Sequence, residues 1–264
     1  MTLYMISSLT LDVNRGPVQG VTSLQNKLYV LHSKSILVYE DETPFNYLSE
    51  IPAVEFGSPV DVSACENTQC LYVTDEVNSC VWKVTPADGK VEKWMSNVTS
   101  PFTSSVTSSG DVLILRSGKP AFLEVYRSDG VLHQQLQLPD NLENPRHAVE
   151  TRSGNYSILY EQALIEMTKN GLVTRTHKSF RGEGLENPLK SATHLALDVA
   201  ERAYIADGSQ ILHYDSQLVY DGVILPPDRV KKPQRICHVR EKKLLVVVHA
   251  SGTVVDVLNL RPRD

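Results

Sequence analysis

The chain has 264 residues, with 26 Lys and Arg against 31 Asp and Glu, a formal charge of −5, and 41 % of its residues are hydrophobic. That composition supplies a sizeable core and excludes a disordered, collagen-like or broadly nucleic-acid-coating polypeptide. No apolar stretch approaches the roughly 18 residues that span a bilayer.

The opening segment, residues 3–11, reads as one strand, MISS-like in its Ser and Thr interruptions and without the basic start of a secretory leader. A cytoplasmic protein is therefore expected. From Pro17 onward the chain repeats itself. Prolines that open apolar segments fall at Pro17, Pro59, Pro101, Pro145, Pro188 and Pro233, at intervals of 42 to 45 residues. In the first unit, residues 27–30 and 36–39 are β-branched and aromatic runs. The second unit shows the full order: a short strand at 60–62, a turn, a strand at 70–73, a loop, a strand at 81–84, Asp88-Gly89, and a returning strand at 90–95. Units three, four and five repeat it, with strands at 111–114 and 123–126, at 164–167, and at 192–197, 203–205 and 211–214. Asp129-Gly130 and Asn170-Gly171 recur where Asp88-Gly89 stands and predict tight type I′ hairpins. Unit six supplies only three strands, at 236–239, 244–248 and 254–258.

Such strand-forming runs, with no amphipathic helix, predict an all-β fold. Four antiparallel strands per unit at this period predict a six-bladed β-propeller, one domain over 1–264. The blades are expected near 17–58, 59–100, 101–144, 145–187, 188–232, and 233–264 plus 1–16, the N-terminal strand closing the last blade.

Cysteines are four: Cys65, Cys70, Cys80 and Cys237. Cys65 and Cys70 flank a turn, which leaves open a disulfide or redox pair, or two small half-buried apolar residues. The sequons at Asn97 and Asn155 are expected to be incidental, since no leader is expected.

Ser58-Pro59-Val60-Asp61-Val62, then Leu71-Tyr72-Val73-Thr74-Asp75, then Asn78-Ser79-Cys80-Val81-Trp82-Lys83-Val84 and Asp88-Gly89-Lys90-Val91, resembles the NHL repeat of six-bladed propellers. Ala203-Tyr204-Ile205-Ala206-Asp207 agrees in part, whereas the other units carry His32, Arg116, Tyr160 and His249 at the Asp position. Asp75 and Asp207 end a strand and begin a turn, so a structural cap on backbone amides is expected of them. The resemblance implies fold more than task. Among NHL-type propellers it points to RNA-stem binders with a basic rim, and among other six-bladed relatives to metal-dependent lactonases and amidating lyases.

In such a ring the second residue after each proline, Gln19, Asp61, Thr103, His147, Lys190 and Arg235, should surround the channel mouth. Only Asp61 among them is an acid, and no nucleophile, phosphate-loop or Cys-x-x-Cys motif occurs. The eight histidines lack ligand spacing. No cofactor or metal is called for on this reading. The expected function is a non-catalytic scaffold that binds a protein or peptide through Arg116, His147, Lys190, Arg235, His32 and His249 on the loop rim. The alternative is an RNA-stem binder using Arg229, Lys231, Lys232 and Arg235, with a metal-dependent hydrolase or lactonase behind it.

Overall fold

The computed structural model describes residues 4–10, 16–178, 189–225, 232–239, 242–250 and 254–260. Strands β1 to β24 form six four-stranded antiparallel sheets. Blade one is β2–β5 (Gly20–Leu24, Lys27–Leu31, Ser35–Glu40, Tyr47–Pro52). Blade two is β6–β9 (Pro59–Cys65, Cys70–Asp75, Cys80–Thr85, Lys90–Ser96). Blade three is β10–β13 (Pro101–Val106, Val112–Arg116, Phe122–Tyr126, Leu132–Gln137). Blade four is β14–β17 (Pro145–Glu150, Tyr156–Tyr160, Ala163–Met167, Val173–Lys178), and blade five is β18–β21 (Ala192–Leu197, Ala203–Asp207, Gln210–Tyr214, Tyr220–Leu225). Blade six is β22–β24 (Pro233–Val239, Leu244–His249, Val254–Asn259) completed by β1 (Tyr4–Thr10) at its outer edge.

The ring closes through its inner strands: β2, β6, β10, β14, β18 and β22 each touch the next, and β22 touches β2. Each blade is apolar on both faces of its middle strands, as in β7, where every residue from Cys70 to Asp75 is buried. A lone sheet of this kind would leave both faces wet, and stacking covers them. Six apolar clusters result, one in every gap between neighbouring blades. Val30 packs with Val246 between blades one and six, and Leu31 with Trp82 between one and two. Tyr72 meets Ile114, Leu115 meets Ile158, Leu159 meets Leu212, and Tyr204 meets Val247 in the remaining gaps. The outermost strands face solvent, β5 being largely exposed and β9 partly so.

The Asp-Gly turns differ from the type I′ expectation. Gly89, Gly130 and Gly171 have φ of +69°, +85° and +82°, while the Asp or Asn before each keeps negative φ. In blade three Gly130 N donates to Arg127 O at 2.8 Å and Arg127 N to Val131 O at 3.0 Å, a type I turn ended by one left-handed glycine. Asp129 Oδ1 accepts from Val131 N at 3.0 Å, as Asp88 Oδ1 does from Lys90 N, so the carboxylate holds the turn in place of a second positive φ.

Asp75 caps its blade as expected, and more extensively. It is fully buried and accepts from Gly57 N, Ser58 N, Asn78 N, Asn78 Nδ2 and Trp82 Nε1 at 2.7 to 3.1 Å. Asp207 accepts from Lys190 N and Ser191 N at 3.0 and 2.7 Å. Cys65 and Cys70 stand opposite each other in the β6–β7 register, and both are free buried thiols, which matches the small apolar alternative.

Candidate functional site

Five inner strands begin the same way. A residue paired with the end of the second strand is followed by a one-residue irregularity, at Pro59/Asp61, Pro101/Thr103, Pro145/His147, Ala192/His194 and Pro233/Arg235. A bulge at this point re-aims the next side chain toward the axis. The channel positions are thus Asp61, Thr103, His147, His194 and Arg235, and in blade one Gly20, which pairs with Leu31. Two sequence expectations are corrected. Lys190 is exposed ahead of β18, because the proline of unit five stands before its strand, whereas in units two, three, four and six it opens the strand, and His194 holds the position instead. Gln19 yields to Gly20 for the same reason of register.

Gly20 has a steric role. A Cβ there would lie 2.9 Å from Val62 Cγ1 and 3.0 Å from Val62 N. Gly20→Ala is expected to cost about 1–3 kcal/mol, read as a lowered urea midpoint, since the obstacle includes backbone. An unchanged midpoint would show slack at that approach. Blade six also reaches blade two directly. Arg235 donates from Nη2 to Val60 O at 3.0 Å and from Nη1 to Gln234 O at 3.0 Å, with Nε 3.5 Å from Asp61 Oδ1.

Around Asp61 the channel is filled by side chains from four blades. Asp61 is 2 % exposed; its Oδ2 accepts from Ser104 N at 3.0 Å, and its Oδ1 lies 3.7 Å from His194 Nε2. His147 stacks on His194 with ring centroids 3.8 Å apart and planes at 26°. His147 Nε2 is 3.4 Å from Ser104 O, so that nitrogen carries the proton and Nδ1 the lone pair. His147 Nδ1 is buried without a hydrogen-bond partner. Neither ring nitrogen of His194 makes a hydrogen bond of normal geometry, Asp61 being beyond that range. The Ser104 peptide therefore orients both Asp61 and His147, a role no motif announced.

The charges sort in a definite way. Burial first, then neighbouring His194, push His147 down to about 3. Burial likewise lowers His194 against the pull of Asp61. Burial is the largest influence on Asp61 and opposes its charge, but His194 and Arg235 outweigh it and hold the carboxyl below the usual range. The site therefore presents one carboxylate, one guanidinium and two neutral imidazoles. One ligand atom each from Asp61, His147 and His194 lies within 4.8 Å of the others. Carboxylate oxygen and neutral imidazole nitrogen are the donors that divalent transition metals take.

The other residues expected at a partner surface are dispersed. Arg116 is tied to Glu124 at 2.7 Å and to Thr99 O at 2.9 Å. His32 is buried with Nδ1 3.2 Å from Gly16 O, and His249 is buried with Nε2 2.7 Å from Asp256 Oδ2. Both sit at the Asp75 position of their own blades, where a polar side chain closes the sheet's end, so they do not form a shared loop site. Of the basic edge, Arg229 and Lys231 lie outside the described residues, Lys232 is exposed, and Arg235 turns into the channel. Lys242 beside it is neutralised by Asp41 and Glu42 at 2.5 and 2.7 Å.

No family model matches the chain, and no curated protein matches it in sequence. Solved structures match in fold. An inactive variant of virginiamycin B lyase from Staphylococcus aureus with quinupristin superposes at TM-score 0.69 and 11 % identity, over 98 % of this chain and 99 % of that one. A gluconolactonase from Xanthomonas campestris gives 0.71 and 11 %, over 96 % and 89 %. A nidogen–laminin complex gives 0.70 and 13 %, over 86 % and 87 %. The chain thus shares the six-bladed propeller of the lyase and gluconolactonase structures, and an NHL-repeat membership is not what these comparisons show. They also correct the expectation of a non-catalytic scaffold. The fold neighbours include a lyase and a lactonase, and two of the residues assigned to the rim, His147 and Arg235, lie beside Asp61 in the channel.

Proposed function

We propose that this protein is a metal-dependent enzyme whose reaction centre is the channel cluster of Asp61, His147 and His194, acting on a carbonyl compound by hydrolysis or elimination. The observation that carries the reading is the convergence of three buried donors from three blades, their imidazoles neutral and short of partners. Unsatisfied polar atoms in a core need a reason, and a bound cation provides one. His147 donates its other ring nitrogen to a backbone carbonyl, the usual support for a ligating imidazole. Two imidazoles and a carboxylate suit zinc, iron(II), cobalt or manganese, and leave coordination positions for substrate. Such an ion supplies Lewis-acid polarisation of a carbonyl oxygen or a water of lowered pKa. Arg235 keeps Asp61 ionised until a cation arrives. That a lyase and a gluconolactonase share the fold supports the reaction class.

The test is titration of chelator-treated protein with cobalt(II), followed by its visible absorption, together with assays on lactones and elimination substrates. One ion per chain is expected, with His147→Ala and His194→Ala each weakening it by about 100-fold. Chelator should abolish turnover. Undiminished affinity in both variants, or turnover indifferent to chelator, would overturn the proposal.

A further inference from the structure

Past the end of β14, away from the channel cluster, the gap between blades four and five holds a cavity of about 250 Å³. One departure from the repeat accounts for it. The residue three before the Asp75 position of each second strand faces the gap toward the following blade. It is Tyr29, Tyr72, Leu113, Tyr204 and Val246 in blades one, two, three, five and six, and each packs in the apolar cluster shared with the next blade. In blade four the same register position, opposite Glu166 on β16, is Ser157. The serine lacks the bulk that fills the other gaps, and the cavity lies between it and Leu197 and Leu218 of blade five. Ser157 is fully buried, and its hydroxyl has no hydrogen-bond partner among the described residues. A buried hydroxyl left in that state costs stability and calls for a reason.

The rest of the wall says what kind of molecule fits. Its charged groups already have partners. Glu166 Oε1 accepts from Asn155 Nδ2 at 2.7 Å, and Glu166 Oε2 lies 3.6 Å from Arg175 Nε. Arg175 Nη2 donates to Gln217 Oε1 at 3.1 Å, and Glu201 accepts from Arg152 N. A charged ligand therefore finds no counter-charge waiting. The hydroxyls of Ser153 and Ser157 and the carboxamides of Asn155 and Gln217 combine donors with acceptors, which is what a ligand hydroxyl also does. Leu197 and Leu218 supply a small apolar side for C–H groups. The volume falls below the roughly 300 Å³ at which pockets for drug-sized ligands begin, leaving room for about one ring. We infer that the gap between blades four and five binds one neutral polyhydroxyl molecule of monosaccharide size, with Ser157 as its buried hydroxyl contact. The site is separate from the channel and does not depend on a metal there.

The experiment titrates the full chain with glucose, galactose, mannose, fucose and myo-inositol, followed by saturation-transfer NMR, with glucuronate and protonated glucosamine as charged comparisons. At least one neutral compound should bind, and more tightly than either charged one. Ser157→Tyr gives blade four the residue of blades one, two and five and occupies the space, so it should abolish binding. Ser157→Ala keeps the space and removes the hydroxyl, and should weaken binding by up to about tenfold. Silence from all five neutral compounds, charged sugars bound as tightly as neutral ones, or binding that survives Ser157→Tyr would overturn the inference. Circular dichroism checks that Ser157→Tyr folds. If it does not, Ser157→Ala decides, and unchanged affinity there counts against the inference. Chelator should leave sugar binding as it was. Its loss on chelation would place the ligand at the channel metal and overturn the separate site.

Discussion

Asp75→Ala is expected to destabilise the protein by about 3–5 kcal/mol, much of the margin of an ordinary domain. The carboxylate is fully buried and gathers five donors from Gly57, Ser58, Asn78 and Trp82. Alanine leaves the Gly57, Ser58 and Asn78 backbone amides and the Trp82 indole without this acceptor, only the Asn78 side chain keeping a second one at Glu55 O, and the indole remains walled in beside Phe56. Burial is the largest influence on Asp75 and disfavours its charge, but the amides of Ser58 and Gly57, the indole and the Asn78 amide together outweigh it, so its pKa in the folded state lies below the ordinary 3.8. A carboxyl depressed on folding contributes stability that is present above its unfolded pKa and lost as pH falls through the folded value. The gap between wild type and Asp75→Ala should therefore be full at pH 7 and narrow below the ordinary 3.8. Urea unfolding at both pH values checks it. A difference under about 1 kcal/mol at neutral pH would show that water replaces the lost acceptor. Asp207→Ala, with fewer donors bound, should cost less.

Removal of residues 1–10 should have a larger effect. β1 pairs with β24 from Tyr4 opposite Asn259 to Thr10 opposite Val254, and Ser8 Oγ donates to Asp256 Oδ1 at 2.5 Å. Without it β24 becomes an edge strand, and Val255, Val257 and Leu258, now at most 1 % exposed, lose cover. The ring loses the strand that joins the start of the chain to its last blade. A loss of about 5 kcal/mol or more is expected, enough to leave a partly unfolded, aggregation-prone chain. Thermal unfolding followed by circular dichroism measures it, and adding a peptide of residues 1–10 should restore part of the transition. A midpoint within about 3 °C of the full chain would mean that closure contributes little.

The two halves of the problem were not equally legible. The propeller was readable because strand patterning and turn chemistry are local: Lys27 to Leu31, Cys70 to Asp75 and Ala203 to Asp207 announce the same middle strand wherever they occur. Asp75 as a cap was readable for the same reason, since Asn78 and Trp82 lie within one hairpin of it. Counting from prolines failed in blade five, where Pro188 is separated from β18 by a longer approach and pointed to Lys190. Aligning Asp207 with Asp75 would have placed Ala192 opposite it and His194 next in the channel. The thin enzyme reading had the same origin: the histidines look dispersed along the chain because their neighbours come from other blades.

Sequence alone determined the strands, the places of their turns, the number of blades and the strand that closes them, because each depends on side-chain alternation and backbone preference over a few residues. Only the tertiary structure decided that Asp61, His147, His194 and Arg235 share one buried space, and that His32 and His249 do not. Ring closure brings together residues from separate blades, and a one-residue bulge in five of the six inner strands chooses which side chain faces the axis. Both the burial that neutralises the imidazoles and the reach of Arg235 to the Val60 carbonyl come into being at that moment, since neither is a property of any single repeat.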